Sequence, residues 1–362
     1  MKNMKSIRYL IVSLLPLALA TCGPKPPSTA ETSTVPTSNE EKKLNLYCWS
    51  EYIPQSVIDD FSKETGIKVA VENYSSNEEM VTKLLAGGGK YDLIQPSEYT
   101  VEALIRENQL LPIQPASLSN MANISSEFRN MPYDAGNKFS IPYMAGFVGI
   151  CVNTDKVKTP VKGFADVFTP AHKGRIVALD DAREITSWAF AVEKLGINDV
   201  TPENLEKVKP TLKKWLPLVK VYDSDSPKTS LKNGDVDLGI IWSGEAALLY
   251  RDDKKFAFVL PSEGSHLFVD NLAIPKTAAH PQNAHLFINY ILRPEVSRKI
   301  SEAFPYYNPN SAARALLSNE EIANPASYPP AQDINRMQTF RDLGQQAAAI
   351  DELITQIKAG GK

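Results

Sequence analysis

The chain has 362 residues, of which 43% are hydrophobic and 22% are charged. This composition is typical of a globular protein with one large or two medium domains, and it excludes a fibrous or wholly disordered chain. A formal net charge of −3 argues against a nucleic-acid partner, because phosphate backbones are bound by basic surfaces.

The first 21 residues have the pattern of a secretory signal peptide. A basic start (Lys2, Lys5 and Arg8) precedes an apolar run over 10–19, which is too short for a stable membrane span. Removing residues 1–21 takes away three positive charges and no acid, so the net charge falls from −3 to −6. We therefore expect an exported protein that is still less suited to nucleic acid.

Cys22 follows this segment and resembles the lipidated cysteine of bacterial lipoproteins, although Thr21 stands where Gly or Ala is usual. Residues 22–43 are rich in Pro, Ser, Thr and charge, which predicts a disordered tether. The expected location is the periplasm or the outer face of the cytoplasmic membrane, with a lipid anchor. Cys48 and Cys151 lie in apolar, strand-like runs, where a disulfide or two buried free thiols are both possible.

The pattern from Leu44 onward alternates between strands and helices. The stretches "LNLYCW", "IKVAVENY" and "YDLIQP" predict strands, and the segments between and after them predict helices, the first with Pro54 in its first turn and Gly66 at its end. This order favours a parallel sheet covered on both faces, whose ligands bind beyond the carboxyl ends of the strands. The positions of interest there are Trp49, Ser50, Glu51, Ser97 and Tyr99.

A second α/β unit is predicted over about 148–268. It contains the strands "GFVGICVNT", "GRIVAL" and "VDLGIIW" and a long helical stretch that we expect to be broken at Pro210. A helix pair around Pro294 and an amphipathic C-terminal helix follow.

The strand "GRIVAL" ends at a cluster of charge in "LDDARE". Asp181 fits the N-cap of the next helix, and Glu184 three residues later fits a capping box. The same carboxylates also suit a binding site for a cationic group.

Motifs that indicate catalysis are scarce. The glycines of "LAGGGKY" precede a strand instead of following one, "IIWSGE" lacks the nucleophile-elbow pattern, and the four histidines lack metal-ligand spacing. We therefore expect no enzymatic activity, no cofactor and no metal, with an extracytoplasmic enzyme as the alternative class.

An aromatic residue lies near a carboxylate at several predicted strand ends. A cleft walled by rings and fringed by carboxylates suits a ligand with ammonium ends and a methylene body, although core packing and helix capping also explain each instance alone. The pairs are Trp49 with Glu51, Trp188 with Asp181 and Glu184, Trp242 with Glu245, and Phe268 with Asp270.

Six stretches resemble, in order and spacing, the spermidine/putrescine-binding proteins of bacterial ABC transporters. They are "LYCWSEYIPQSVIDDFSKETGIKV", "YDLIQPSEY", "LDDARE", "GDVDLGIIWSGEA", "FVDNLAIP" and "YYNPNSAAR", and the likeness covers about 44–355. The resemblance implies an α/β fold of the two-lobe periplasmic-binding-protein type (type II), with mostly parallel sheets and a hinge between the lobes. We expect lobe 1 at 44–147 and 269–314, and lobe 2 at 148–268 and 315–362.

The resemblance also implies the ligand contacts of the first lobe. Trp49 and Ser50 would line its wall, and Glu51 would be an acidic contact there. Ser97 and Tyr99 match the serine and tyrosine that follow the family's third strand.

Further contacts are implied along the rest of the chain. Asp181 and Glu184 match acids that hold ammonium groups, and Trp242 matches the ring beneath the methylene chain. Asp270 matches the acid that takes another amine, and Tyr306 matches a late tyrosine.

Two positions depart from the spermidine-preferring members. Phe268 stands where they have Trp, and Phe340 stands where they have Gln. Phe attracts a cation less strongly than Trp, and replacing Gln removes a hydrogen bond to an amine. The preference between putrescine and spermidine therefore stays open.

The expected function is capture of putrescine, spermidine or both by a monomer, which delivers them to the membrane permease of an ABC transporter. One alternative is a binding protein for another small organic cation or ligand. Another is a sensor that presents the bound polyamine to a receptor.

Overall fold

The computed structural model describes residues 39–87 and 90–360. The predicted signal peptide, Cys22 and most of the predicted tether lie outside these residues. Strand β1 begins at Lys43, and the Glu40 carboxylate accepts hydrogen bonds of 3.0 Å from the backbone N–H groups of Gln282 and Asn283. Residues 40–43 therefore belong to the folded body, and the tether predicted over 22–43 is too long at its C-terminal end.

Nine strands form one curled sheet within the described residues. They are β1 Lys43–Trp49, β2 Lys68–Tyr74, β3 Leu93–Ile94, β4 Ser140–Asn153, β5 Ile176–Ala178, β6 Val219–Tyr222, β7 Leu238–Trp242, β8 Phe256–Val259 and β9 Leu267–Ala273.

The strand order is β2-β1-β3-β9-β4-β7-β5-β6, with β8 beside β4. The outer pairs β1/β2, β1/β3, β5/β6 and β5/β7 are parallel, as expected. The central strands β4 and β9 are antiparallel to each other and to their other neighbours. The sheet is therefore mixed, and not mostly parallel, because β4 carries the chain from the first half of the sheet to the second and β9 carries it back.

Fourteen α-helices cover the sheet within the same residues. They are α1 Gln55–Thr65, α2 Asn77–Leu85, α3 Glu98–Arg106, α4 Phe164–Val167, α5 Ala182–Val192, α6 Pro202–Trp215, α7 Lys228–Lys232, α8 Ser243–Asp252, α9 Pro281–Ile291, α10 Pro294–Ala303, α11 Ser311–Arg314, α12 Asn319–Ile322, α13 Ala331–Ile334 and α14 Ala347–Gly360.

Local sequence explains several helix ends. Gly66 ends α1 in the left-handed conformation (φ 74°), which glycine adopts without a steric penalty. The predicted break at Pro210 is wrong, because α6 continues through it. Pro210 and Glu206 are both exposed, so water can solvate the Glu206 carbonyl that the proline leaves without a donor.

Two main hydrophobic clusters lie on either side of the central strands. The first is built from 44–145 and 268–306, and the second from 148–240 and 350–357. The chain therefore passes between the clusters three times and forms two lobes. The strand order β2-β1-β3-β9-β4, with the returning strand β9 between β3 and β4, agrees with the expected type II architecture. We call the parts around them the first lobe and the second lobe; the residue boundaries of the lobes stay a prediction. No described helix is both long enough and apolar enough to cross a bilayer.

The two described cysteines are free and buried, Cys48 in the first cluster and Cys151 in a smaller cluster beside the second. Burial raises the pKa of each thiol to about 12, which leaves almost no reactive thiolate near neutral pH.

We expect neither thiol to react with iodoacetamide in the folded protein at pH 8, and both to react in guanidinium chloride. Peptide mapping by mass spectrometry checks this. Labelling of the folded protein at either cysteine, or a disulfide-linked peptide recovered without reductant, would contradict the arrangement.

Candidate functional site

A cavity of about 860 Å³ lies between the lobes, at the carboxyl ends of strands β1, β3, β5 and β7 and beside the first half of β9. Eleven of the twelve predicted ligand-binding residues line it, as expected if the carboxyl ends of strands from both lobes meet there. They are Trp49, Ser50, Ser97, Tyr99, Asp181, Glu184, Trp242, Phe268, Asp270, Tyr306 and Phe340.

Asp270 is a carboxylate buried on β9, with 3% of its surface exposed. It accepts hydrogen bonds from two neutral hydroxyls, Ser97 Oγ to Oδ1 and Tyr52 Oη to Oδ2, both at 2.6 Å. Burial raises the pKa of Asp270 from 3.8 to about 7, although both hydroxyls favour the ionised form. The site therefore orients this carboxylate, and no cation among the described residues is bonded to it directly.

Ser97 holds the N-cap position of α3 but does not cap the helix with its side chain. Its hydroxyl donates to Asp270, and the Asn77 side chain at the start of α2 donates to the same hydroxyl at 3.1 Å. Asn77 Nδ2 also donates to Tyr99 Oη at 2.9 Å. A residue type that usually stabilises its own helix here fixes the cavity carboxylate.

Aromatic rings form the wall beside Asp270. The Phe268 ring packs edge to face against Trp242 and Tyr306, with centroid separations of 5.5 and 5.9 Å. A Cβ atom at Gly146 would lie 2.3 Å from the Phe268 ring, and one at Gly244 would lie 2.4 Å from the Tyr306 ring. These two glycines therefore make room for the rings.

Asp181 is the N-cap of α5, as predicted, and its Oδ1 accepts from the Glu184 N–H at 2.9 Å. Burial, followed by repulsion from Glu184, raises the pKa of Asp181 to about 6. The Glu184 carboxylate does not close the capping box, because its Oε1 is bonded to His266 Nδ1 at 2.6 Å. Asp181 thus caps the helix and lines the cavity at once.

His266 and Glu98 belong to the site and were missed from the sequence. His266 Nε2 contacts Glu98 Oε1 at 2.8 Å, so the imidazole lies between two buried carboxylates, those of Glu98 and Glu184. Burial opposes protonation of His266, but the charges and hydrogen bonds of both glutamates outweigh it and raise the pKa to about 9. One signal existed: His266, Phe268 and Asp270 follow the period of a strand and share one face of it.

Phe340 contacts resident cations. Its ring stacks on the His266 imidazole at 3.8 Å, and the Arg183 guanidinium carbon lies 4.0 Å from its centre. Arg183 also lies 4.8 Å from the Tyr99 ring. The ring at this position therefore orders two positive groups that sequence reasoning did not place there.

Glu51 is the predicted residue that the structure does not bring to the cavity wall. It follows β1 in a left-handed turn (φ 51°), and its Oε2 accepts from Lys228 Nζ at 2.8 Å. Lys228 also donates to the buried Glu245 at 2.9 Å. The carboxylate is thus neutralised by a lysine of the second lobe, which explains why it is not a free acidic contact.

A further carboxylate, Glu78 at the start of α2, lines the cavity and was also missed. Burial raises its pKa, and the charge of Asp181 adds to the effect. Negative charge thus faces the cavity from both lobes. No group of three or more His, Cys, Asp or Glu side chains in the described part of the chain is arranged to hold a metal ion.

Comparison with known proteins gives a consistent result. Residues 56–330 match the family profile described as bacterial extracellular solute-binding protein. The spermidine/putrescine-binding periplasmic protein of Salmonella typhimurium is 37% identical over 328 residues, which is 89% of this chain and 93% of that protein.

Solved structures agree with the sequence comparison. The spermidine/putrescine ABC transporter substrate-binding protein PotD of Streptococcus pneumoniae is 32% identical and superposes with a TM-score of 0.78 over 89% of this chain and all of that one. The TpPotD lipoprotein of Treponema pallidum is 25% identical, with a TM-score of 0.79 over 87% of this chain and 99% of its own.

The raised pKa of His266 predicts a change of stability with pH. Because the pKa is higher in the folded protein than the ordinary 6.5, the stabilisation is complete below about pH 6.5 and is lost as the pH rises through about 9. We expect the difference in unfolding free energy between the wild type and His266→Gln, measured with urea, to shrink between pH 7 and pH 10. A difference that stays constant over this range would show that His266 carries no charge in the fold.

Proposed function

Since the chain belongs to the family of bacterial extracellular solute-binding proteins, we propose that it captures a polyamine, putrescine or spermidine, between its two lobes and delivers it to an ABC permease. The names of its relatives in Salmonella typhimurium and Streptococcus pneumoniae support this ligand class and this transporter class.

The observation that carries the proposal is the Asp270 carboxylate. It is buried and held by two neutral hydroxyl donors. Such a group is costly without a counter-charge, and a ligand ammonium bonded to it supplies one. A neutral or anionic ligand would leave this cost unrelieved.

The aromatic wall suits the methylene chain of the proposed ligand. Trp242, Phe268 and Tyr306 offer ring faces and edges beside Asp270. A methylene chain gains by leaving water for such a surface, and an ammonium gains from nearby ring faces. The wall and the carboxylate together suit an alkyl chain with charged ends.

Contacts across the cleft support binding by closure. Ser50 of the first lobe donates to Asp225 of the second at 2.6 Å, and Glu51 pairs with Lys228. Closure of the lobes excludes water and strengthens the charge interactions inside the cavity. Glu51 therefore contributes to the closed form in this proposal, and the ligand acids are Asp181, Glu184 and Asp270.

The preference between the two amines follows from the site's resident groups. Phe268 keeps a ring face for the methylenes, whereas Phe340 is engaged by His266 and Arg183. Each departure from Trp or Gln is worth about 1 kcal/mol, which changes the relative affinities of putrescine and spermidine several-fold. The proposal therefore covers both amines.

We also propose that the protein works outside the cytoplasm as a lipid-anchored monomer. The signal-like segment 1–21, Cys22 and the polar stretch after it support export and lipidation. The similar protein of Treponema pallidum is named a lipoprotein. The anchor would hold the binding cavity near the permease, at the periplasm or the outer face of the cytoplasmic membrane.

Removal of the Asp270 charge tests the proposal. We expect Asp270→Asn to weaken putrescine and spermidine binding by about 2 to 5 kcal/mol, as for the loss of one partner of a buried charge pair. Isothermal titration calorimetry on protein stripped of ligand measures this. Asp59→Asn, on an exposed turn of α1, is the matched control and should change affinity less than threefold.

The same titrations also measure whether a proton is released when the amine binds. Because the pKa of Asp270 is raised to about 7, amine binding at pH 6.5 should release a proton from wild-type protein, and the release should be smaller in Asp270→Asn. Titration in two buffers of different ionisation enthalpy measures it. Affinity within threefold of wild type in Asp270→Asn would remove Asp270 from the ligand contacts.

A further inference from the structure

A chain of three charged side chains runs through the wall of the cavity. Glu98 at the start of α3, His266 beside β9 and Glu184 on α5 are joined by contacts of 2.8 and 2.6 Å. All three are buried, with 0%, 3% and 1% of their surfaces exposed. The helix of Glu98 packs with the first lobe and that of Glu184 with the second, so the chain of contacts connects the lobes beside the ligand space.

Glu98 is the fixed end of this chain. Its Oε1 accepts from His266 Nε2 and from the Phe340 N–H at 3.0 Å, and its Oε2 accepts from the Val269 N–H at 2.9 Å. Backbone donors from two separate segments thus hold the carboxylate. Glu98 therefore fixes the orientation of the imidazole, which Phe340 also covers on its face.

Glu184 is the end that faces the ligand space. Its Oε1 is engaged by His266, and Glu184 lines the cavity. Its Oε2 is buried and makes no hydrogen bond within the described residues. A buried acceptor without a donor destabilises the protein by its desolvation free energy.

The charges of the three groups also favour a cation at Glu184. Two carboxylates and one imidazolium carry a net charge of −1, and a single ligand ammonium on Glu184 Oε2 would neutralise it. Without His266, two buried carboxylates would remain, and burial disfavours the charged form of a carboxylate that has lost its cation.

We propose that His266, anchored by Glu98, is a positioning residue for ligand binding: it fixes the Glu184 carboxylate so that Oε2 is presented to a ligand ammonium. This inference rests on the proposed function, since it specifies how one of the ligand acids is prepared. His266 itself acts through Glu184 and uses both of its ring nitrogens on protein carboxylates.

Other charged groups surround the three side chains. Burial raises the pKa of two neighbouring carboxyl groups, Asp181 at the N-terminus of α5 and Asp270 on β9, and the charge of His266 opposes this rise. The Arg183 guanidinium also lies nearby, against the Phe340 ring. The effect of substituting His266 is therefore measured both with and without the Glu184 carboxylate, because that carboxylate is bonded to the imidazole directly.

A double-mutant cycle tests the proposal. Putrescine and spermidine are titrated by calorimetry into the wild type, His266→Gln, Glu184→Gln and the double variant. We expect His266→Gln to weaken binding at least tenfold in the wild-type background and less than threefold in the Glu184→Gln background. Equal factors in both backgrounds would show that His266 acts on the fold in general, and would overturn the proposal.

The pH profile is a second readout that a purely structural role would not move. In His266→Gln, the affinity should fall more steeply from pH 8 to pH 6 than in the wild type, because burial disfavours the charged form of a carboxylate that has lost its bonded cation. Parallel profiles would contradict the proposal. His172→Gln is the matched control, a buried histidine outside the cavity wall, and should shift neither the affinity nor the profile.

Wild-type protein alone gives a third measurement, which stands if His266→Gln does not fold. In nitrogen-15 NMR spectra at pH 7, the His266 ring nitrogens should be protonated before and after ligand addition, and their signals should shift when putrescine binds. Unchanged signals at saturation would overturn the proposal. If the wild type binds neither amine, the proposed function falls and this inference with it; if it binds and only the coupling is absent, the proposed function stands.

Discussion

A buried carboxylate whose hydrogen bonds come from neutral groups is the constraint on which the rest of the site depends. The Asp270 carboxylate lies deep between the lobes and receives its hydrogen bonds from Ser97 and Tyr52. Desolvation raises its pKa toward neutrality, which measures how poorly the protein alone supports the charge. A cationic ligand relieves this cost. The burial of the carboxylate, which destabilises the protein without ligand, therefore favours the binding of an ammonium group.

The fold brings the contributing side chains together through its central strands. β4 and β9 run in opposite directions between the two halves of the sheet. Phe268 and Asp270 on β9, and His266 just before it, all line the cavity. Helix starts from both lobes then supply Ser97, Glu98, Asp181 and Glu184. In the proposed function, ligand recognition and the joining of the lobes therefore use the same short segments, and binding is coupled to closure.

Much of this arrangement could be predicted from the sequence. The alternation of strands and helices located the strand ends, and the resemblance in six stretches assigned ten of the residues that line the cavity. The continuous helix through Pro210 was missed because the cost of the proline depends on whether water reaches the Glu206 carbonyl. The antiparallel centre and the pairing of Glu51 with Lys228 could not be predicted, because each depends on contacts between distant segments. Glu98 and His266 were missed for the same reason: 168 positions separate them, and neither matches a motif.

We propose that the cavity selects ammonium groups by charge and methylenes by its rings. Calorimetric titration of the wild type with putrescine, spermidine and 1,4-butanediol, after removal of bound ligand, measures this selectivity. We expect micromolar or tighter binding of at least one amine and no detectable binding of the diol, which has the same carbon chain as putrescine but no charge. Binding of the diol as tight as that of putrescine, or binding of neither amine, would contradict it.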